Sequence, residues 1–317
     1  MKLFFKRLAI FFITVLAIGF LLQIVVSRSM KNKVVLNMYD NFHVSYPQKI
    51  DLLFMGSSRC ITHFNPALFD NYFKIKSLNL GVDGHSDLEM HVLKLKSFLK
   101  HNKPPRIIIL NFDMFITSLE VTGGKNYVHK DYFSRYAFLP FSEEPAISEY
   151  FNYNFGEKYV PSYALLKYKY IVNALQVNFD KTRNIELYER HDEQWDTIRN
   201  PVKHIKYSGN FRDPKFIRAV KGQLLIMDSI CKKNDIKLIL VHTPVYLPVF
   251  TGHLLDAPKL IAAELGLPYF DMNAEYISND IRNFYNSNHL NTVGINRMFQ
   301  HMTADTEFTG LIRSFIQ

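Results

Sequence analysis

Two short stretches, far apart in the chain, hold side chains suited to acyl chemistry. Ser58 stands in Gly56-Ser57-Ser58-Arg59, directly after the apolar run Leu52-Leu53-Phe54-Met55, and His289 stands in Asn286-Ser287-Asn288-His289-Leu290-Asn291. A serine hydroxyl is a weak nucleophile until a base within hydrogen-bond reach takes its proton, and imidazole is the side chain that does this near neutral pH. Acyl transfer also needs N–H donors where the carbonyl oxygen becomes negative. Three positions qualify by their place after strand-like runs: Ser58, Gly84 in Asn79-Leu80-Gly81-Val82-Asp83-Gly84, and Asn111 in Leu110-Asn111-Phe112-Asp113. Arg59, next to the nucleophile, is a candidate contact for an anionic substrate, the plainer alternative being a structural salt bridge.

The elements that must position these residues read as alternating strands and helices. Asp51–Met55 is a first strand, and Asn65-Pro66 opens a helix whose Leu68, Phe69, Tyr72 and Phe73 share a face. Asparagine at the cap and proline at the first helical position form a start signal. Ile75–Leu80 is a second strand; Ser86-Asp87-Leu88-Glu89 is a capping box before a stripe of Leu88, Val92, Leu95 and Leu99. Pro104-Pro105 stops that helix, and Arg106–Leu110 reads as a strand buried on both faces. This βαβαβ order predicts a parallel sheet with right-handed crossovers, which carries its chemistry outside the carboxyl ends of the strands.

The rhythm stops over 115–211, a segment rich in Tyr, Asn, Phe and Lys, with one helix predicted near Pro161–Phe179. It reads as an insertion over the sheet's carboxyl edge. Gly123-Gly124-Lys125 within it lacks the preceding strand and the following Ser/Thr of a phosphate loop. The rhythm resumes with a helix from Asp213 to about Asn234, a strand Ile236–Val241 leading into His242-Thr243-Pro244, and a helix near Leu254–Leu265 ended by Gly266. A short strand at Pro268–Phe270 and a closing helix carrying Ile295, Met298, Phe299 and Met302 complete the chain.

Of the 317 residues, 48% are hydrophobic and 21% charged, enough for a folded core. The net charge of +9 is local: residues 1–33 hold six basic side chains and no acidic one, which leaves +3 on the other 284. That distribution argues against nucleic-acid binding and for a membrane segment. Leu8–Val26 is apolar throughout except Thr14, Gly19 and Gln23, long enough to span a bilayer, and no small-residue cleavage site follows it. We expect an uncleaved signal-anchor at 1–28, a connector at 29–49 and an exported domain at 50–317, with the N-terminus inside. Two cysteines, Cys60 and Cys231, make no disulfide framework. His63, His85, His91 and His242 lack the spacing and nearby carboxylates of a metal site, so no metal or other cofactor is expected.

Gly-x-Ser after the first strand, Asn79 to Gly84 after the second and His-Leu-Asn near the C-terminus together resemble the SGNH (GDSL-type) hydrolases. The likeness is to membrane-anchored bacterial members with Gly-Ser-Ser at the nucleophile, which handle acyl groups in cell-envelope assembly. It covers roughly residues 50–113 and 235–303. It implies a three-layer α/β/α, flavodoxin-like fold, with Ser58 as nucleophile, His289 as base and Gly84 as second oxyanion donor. Asn286 falls where the family has the aspartate of Asp-x-x-His, and Asn111 lies about one residue out of register with the family's third-block asparagine. The implied function is a serine esterase or O-acyltransferase acting on acyl esters of envelope glycans at the bacterial inner membrane, alone or beside a membrane-bound acyltransferase. Two other classes remain open: a catalytically degenerate glycan-binding or scaffold module, and an anion sensor built on Arg59.

Overall fold

The computed structural model describes residues 1–31, 49–81, 88–114, 155–163, 207–208, 214–251 and 255–316. The chain forms two compact units, one from Met1–Asn41 with Val128–Glu186, the other from Phe42–Tyr127 with Leu187–Gln317. In the first unit the described parts are α1 (Lys2–Lys31), whose Lys2–Val25 portion is long and apolar enough to cross a bilayer, and a short segment that includes a helix at Phe155–Tyr159.

The second unit is the predicted α/β fold. β1 (Leu52–Met55), β2 (Ser77–Asn79), β3 (Ile107–Asn111), β5 (Lys237–His242) and β7 (Tyr269–Asp271) form one sheet in the order β2-β1-β3-β5-β7. All four pairings are parallel. Counted among themselves these strands run 2-1-3-4-5, the flavodoxin-like order, in which the chain changes direction across the sheet between the first and third strands. Two further strands, β4 (Tyr207–Ser208) and β6 (Phe250–Thr251), pair with each other away from it.

Strand residues alternate between two cores. Leu53, Met55, Ile108, Leu110, Leu238 and Leu240 face helices Leu88–His101, Pro214–Lys233 and Asp256–Leu265, where Leu95, Leu224 and Ile261 meet them. Leu52, Phe54, Ile107, Ile109, Ile239 and Val241 face helices Pro66–Phe73, Thr292–Ala304 and Thr306–Ile316 through Phe69, Met298 and Phe308. Burying each such side chain is worth about 1.5–3 kcal/mol. The continuous apolar runs of β1 and β3 follow from this burial on both faces.

Some elements differ from the sequence expectation. A six-residue helix, Ser58–His63, precedes the predicted one; Phe64-Asn65-Pro66 ends it, because Pro66 has no N–H to continue the ladder, and Asn65 caps the next helix through Ala67 N–H at 3.0 Å. The final segment is two helices, Thr292–Ala304 and Thr306–Ile316, split at Asp305, whose carboxylate caps the second through Glu307 and Phe308 N–H. Residues 161–163 form a turn where a helix was expected to begin, and 164–179 lie outside the described residues, as do Ser86, Asp87 and Gly123 to Lys125.

Candidate active site

Ser58 is placed by a turn that only glycine can open. Gly56 has φ = +145°, and a Cβ on it would stand 2.8 Å from Asn111 Cβ and 2.9 Å from Cys60 Cβ. Ser57 then caps the six-residue helix, its hydroxyl accepting Arg59 N–H at 3.4 Å, and Ser58 becomes the helix's first residue, part-exposed at the carboxyl end of β1. The Ser58 N–H makes no hydrogen bond among the described residues, which leaves it free to meet a carbonyl oxygen. The far end of the helix is tied down by Asn79, whose amide donates to Cys60 O at 2.8 Å and Phe64 O at 2.9 Å.

His289 arrives on an antiparallel hairpin, β8 (Phe284–Asn286) with β9 (His289–Leu290), in a stretch that reads from sequence as a plain loop. Its Nε2 lies 2.9 Å from Ser58 Oγ and its Nδ1 lies 3.0 Å from Asn286 Oδ1. Asn286 Oδ1 also accepts the backbone N–H groups of Asn288 at 3.1 Å and His289 at 2.9 Å. Two main-chain donors on one atom identify it as the amide oxygen. The imidazole proton therefore sits on Nδ1, and Nε2 is left as the acceptor for the Ser58 hydroxyl. Burial and, after it, the Arg59 guanidinium pull the His289 pKa down to about 3, so the ring is neutral at pH 7.

Beneath this pair lies a buried polar floor. Arg59, 1% exposed, donates through Nη1 to Asp113 Oδ2 at 2.7 Å and through Nη2 to Thr243 O, to Thr243 Oγ1 at 3.0 Å and to Pro244 O at 3.0 Å. His63, fully buried, accepts the Leu290 N–H on Nε2 at 2.9 Å, so its proton is on Nδ1 and goes to Thr243 Oγ1 at 2.7 Å. Thr243 in turn donates to Asn111 Oδ1 at 3.4 Å, and Asn111 Nδ2 donates to Asp113 Oδ2 at 3.1 Å. Burial, with Arg59 and His289 beside it, drives the His63 pKa well down, so His63 is a neutral strut holding the residue after His289.

Of the residues singled out from sequence, Ser58, His289 and Asn286 come together. Arg59 takes the structural role that the sequence left as the alternative to a substrate contact: its guanidinium is buried in the floor, paired with Asp113 and bonded to Thr243 and Pro244. Asn111 is corrected. It is 0% exposed, and its amide nitrogen donates to Asp113 and to Val241 O at 3.4 Å rather than toward the Ser58 hydroxyl. Gly84 lies outside the described residues, and Gly81 spends its N–H on Asn79 Oδ1 at 2.9 Å. Cys60 and Cys231 are both buried and unpaired; burial pushes the Cys60 thiol well up and the Cys231 thiol to about 12, so neither is a nucleophile. The residues that sequence reasoning missed are His63 and Thr243. Their partners lie 180 and 227 positions away from His63, and no local spacing signals them.

No protein-family model matches the chain, and no curated protein sequence matches it. Among solved structures it is similar to an inferred acylhydrolase from Bacteroides fragilis, at 12% identity and a TM-score of 0.39, over 88% of this chain and 96% of that one.

Proposed function

We propose that the protein is a membrane-anchored serine esterase or O-acyltransferase acting on acyl esters of cell-envelope glycans. The observation that carries this reading is the relay Ser58 Oγ···His289 Nε2 at 2.9 Å and His289 Nδ1···Asn286 Oδ1 at 3.0 Å, with the tautomer fixed by two backbone donors. In the first step His289 Nε2 takes the hydroxyl proton as Ser58 Oγ attacks the ester carbonyl. The oxyanion is met by the Ser58 N–H and, following the SGNH resemblance, by Gly84 N–H. Collapse of the tetrahedral species breaks the ester C–O bond, and the imidazolium returns its proton to the leaving alkoxide. Water or a sugar hydroxyl, deprotonated by the same ring, then attacks the acyl-serine; the acyl C–Oγ bond breaks, the imidazolium returns its proton to Ser58 Oγ, and the group leaves as acid or as a new ester. No cofactor enters this scheme.

The glycan, the envelope and the bacterial inner membrane come into this reading from the resemblance and from α1. We place α1 as the anchor, with the N-terminus cytoplasmic and residues 50–317, including the insertion at about 115–211, exported. A second reading, a glycan-binding or scaffold module that has lost catalysis, is favoured by one observation: the group behind His289 is a neutral amide.

Fluorophosphonate labelling of the full-length protein in detergent separates the two. We expect labelling of the native chain and its loss in both Ser58→Ala and His289→Ala, a fall of at least about 10³-fold, since members of such a unit fail together. A folded native chain that takes no label, yet binds envelope glycan, would establish the scaffold reading instead.

A further inference from the structure

The first unit holds a contact that neither the α/β fold nor the proposed chemistry requires. Gln23 interrupts the apolar stretch of α1, yet it is only 2% exposed. Its Oε1 accepts the Ser162 N–H at 3.1 Å, and the Ser162 hydroxyl donates to Gly19 O at 2.5 Å, one helical turn earlier. Gly19 admits this approach: a Cβ there would already touch Pro161 O at 3.4 Å and Pro161 Cβ at 3.5 Å. Ser162 adopts a left-handed φ of +63° to reach both groups. Two of the three non-apolar positions in the stretch thus form a notch that receives the Pro161-Ser162 turn.

The segment that fills the notch is a small hook. Phe155–Tyr159 is a one-turn helix; Val160 N–H then closes onto Gly156 O at 2.8 Å and Tyr163 N–H onto Val160 O at 3.2 Å. Phe155 and Tyr159 pack ring on ring with centroids 5.0 Å apart. These aromatics keep exposed surface: Phe155 is 75% exposed, Tyr159 45% and Tyr163 36%.

Position along α1 says what covers them. The 19 residues Leu8–Val26 span about 28 Å at 1.5 Å per residue, close to the roughly 30 Å of a hydrocarbon core. Gly19 and Gln23 then lie about 10 Å and 5 Å inside the exit end, the depth at which amphipathic segments bury an apolar face, about 5–10 Å into the headgroup–acyl boundary. Tyrosine is enriched at that level because its ring is amphipathic, and Lys158 can extend its ammonium to the headgroups. A glutamine side chain at that depth must also find a partner, and Ser162 is that partner.

We propose that residues 155–163 are a membrane-interface hook, clipped into the Gly19/Gln23 notch, with Phe155, Tyr159 and Tyr163 set in the headgroup–acyl boundary of the leaflet where α1 ends. This rests on the reading of α1 as a bilayer span and sharpens it. A leader removed by a peptidase would leave the hook without its socket, so the proposal requires that α1 be retained.

The test uses full-length protein in nanodiscs. The single tryptophan, Trp195, is changed to Phe and Tyr159 to Trp, giving one reporter on the hook. In lipids brominated near the headgroup end of the acyl chains we expect the reporter to be blue-shifted and to lose intensity relative to unbrominated lipid. Adding Gly19→Leu, which fills the notch but leaves the span apolar, is expected to restore the intensity and shift the emission red. An aqueous spectrum without quenching in the parent reporter would overturn the proposal, as would crosslinking of position 159 to a second copy in place of quenching. Quenching unchanged by Gly19→Leu would overturn the clip. Intact mass of the purified chain tests the underlying reading separately: loss of the first 28 or so residues would remove the anchor, whatever the hook does.

Discussion

Under Ser58 the protein has sealed a full ion pair, whereas behind His289 it has set a neutral amide. The Arg59–Asp113 pair, at 1% and 0% side-chain exposure, is hydrogen-bonded to Thr243, Pro244 and Asn111 and is closed off from solvent. The His289 hairpin is part-exposed and is held by main-chain donors, by Tyr246 N–H on Ser287 O at 2.9 Å and by the neutral His63 strut. The contrast separates two tasks that an aspartate behind the base would combine. Asn286 orients the imidazole, but it does not favour imidazolium, and the nearest buried cation opposes imidazolium. Geometry for a neutral base is complete, while the charge that would ease proton uptake has been placed in the floor and neutralised there.

The largest effect should come from breaking the floor. Arg59→Leu leaves Asp113 buried without its counter-ion, and Asp113→Leu leaves the guanidinium so; each is expected to cost about 3–5 kcal/mol of stability. Replacing both residues together with leucine and methionine is expected to recover much of that loss, because the uncompensated charge is what costs. Denaturant midpoints of the three variants check this. Equal loss in the double variant would mean that the pair contributes attraction beyond mutual neutralisation.

Next comes the amide behind the base. Asn286→Asp keeps an oxygen for the three donors and adds a charge, so it should raise the His289 pKa by about 1–3 units. The acidic limb of fluorophosphonate labelling should move up in pH by the same amount, and the plateau rate should rise, since imidazolium is then stabilised. An unmoved limb would mean that His289 is not the group whose protonation controls Ser58.

Much of this could be read before any coordinates, for physical reasons. The strands were legible because burial on both faces requires runs such as Ile107 to Leu110, and the order of strands and helices restricts the topology to a few arrangements. Ser58 and His289 could be picked out as a pair because few residue types suit acyl chemistry, and the structure brings the two together. For Arg59 the salt-bridge alternative is the one the structure shows, while Asn111 was misread, because adjacency to Ser58 says nothing about direction: the first turn of the short helix sends Arg59 into the interior, and Asn111 ends a strand against Gly56. His63 was seen only as one histidine among several, since its meaning lies in Thr243 and Leu290. Gly19 and Gln23 were visible as interruptions of an apolar stretch, but their partner Ser162 lies about 140 residues away, in a segment with weak periodicity.

The smallest effect concerns acid. His63 and His242 are both fully buried, and burial is the largest cause of each lowered pKa, with Arg59 adding to it. In His242, Nδ1 accepts from Asn273 Nδ2 at 3.2 Å, and Asp271 Oδ1, at 3.6 Å, acts in the opposite sense. A histidine whose folded pKa lies below its unfolded value binds its proton preferentially in the unfolded chain. Stability from keeping the ring neutral is therefore complete above about pH 6.5 and declines as pH falls below it. Each such ring contributes a slope of about 1.4 kcal/mol per pH unit in that window. His242→Gln keeps an acceptor for Asn273 and removes one titrating ring, so stability measured at pH 7 and pH 5.5 should fall less steeply in the variant, by about one such slope. An equal acid loss in native and variant chains would assign acid sensitivity to His63 and the His289 side of the site, where neutral imidazoles hold the Ser58–His289 geometry.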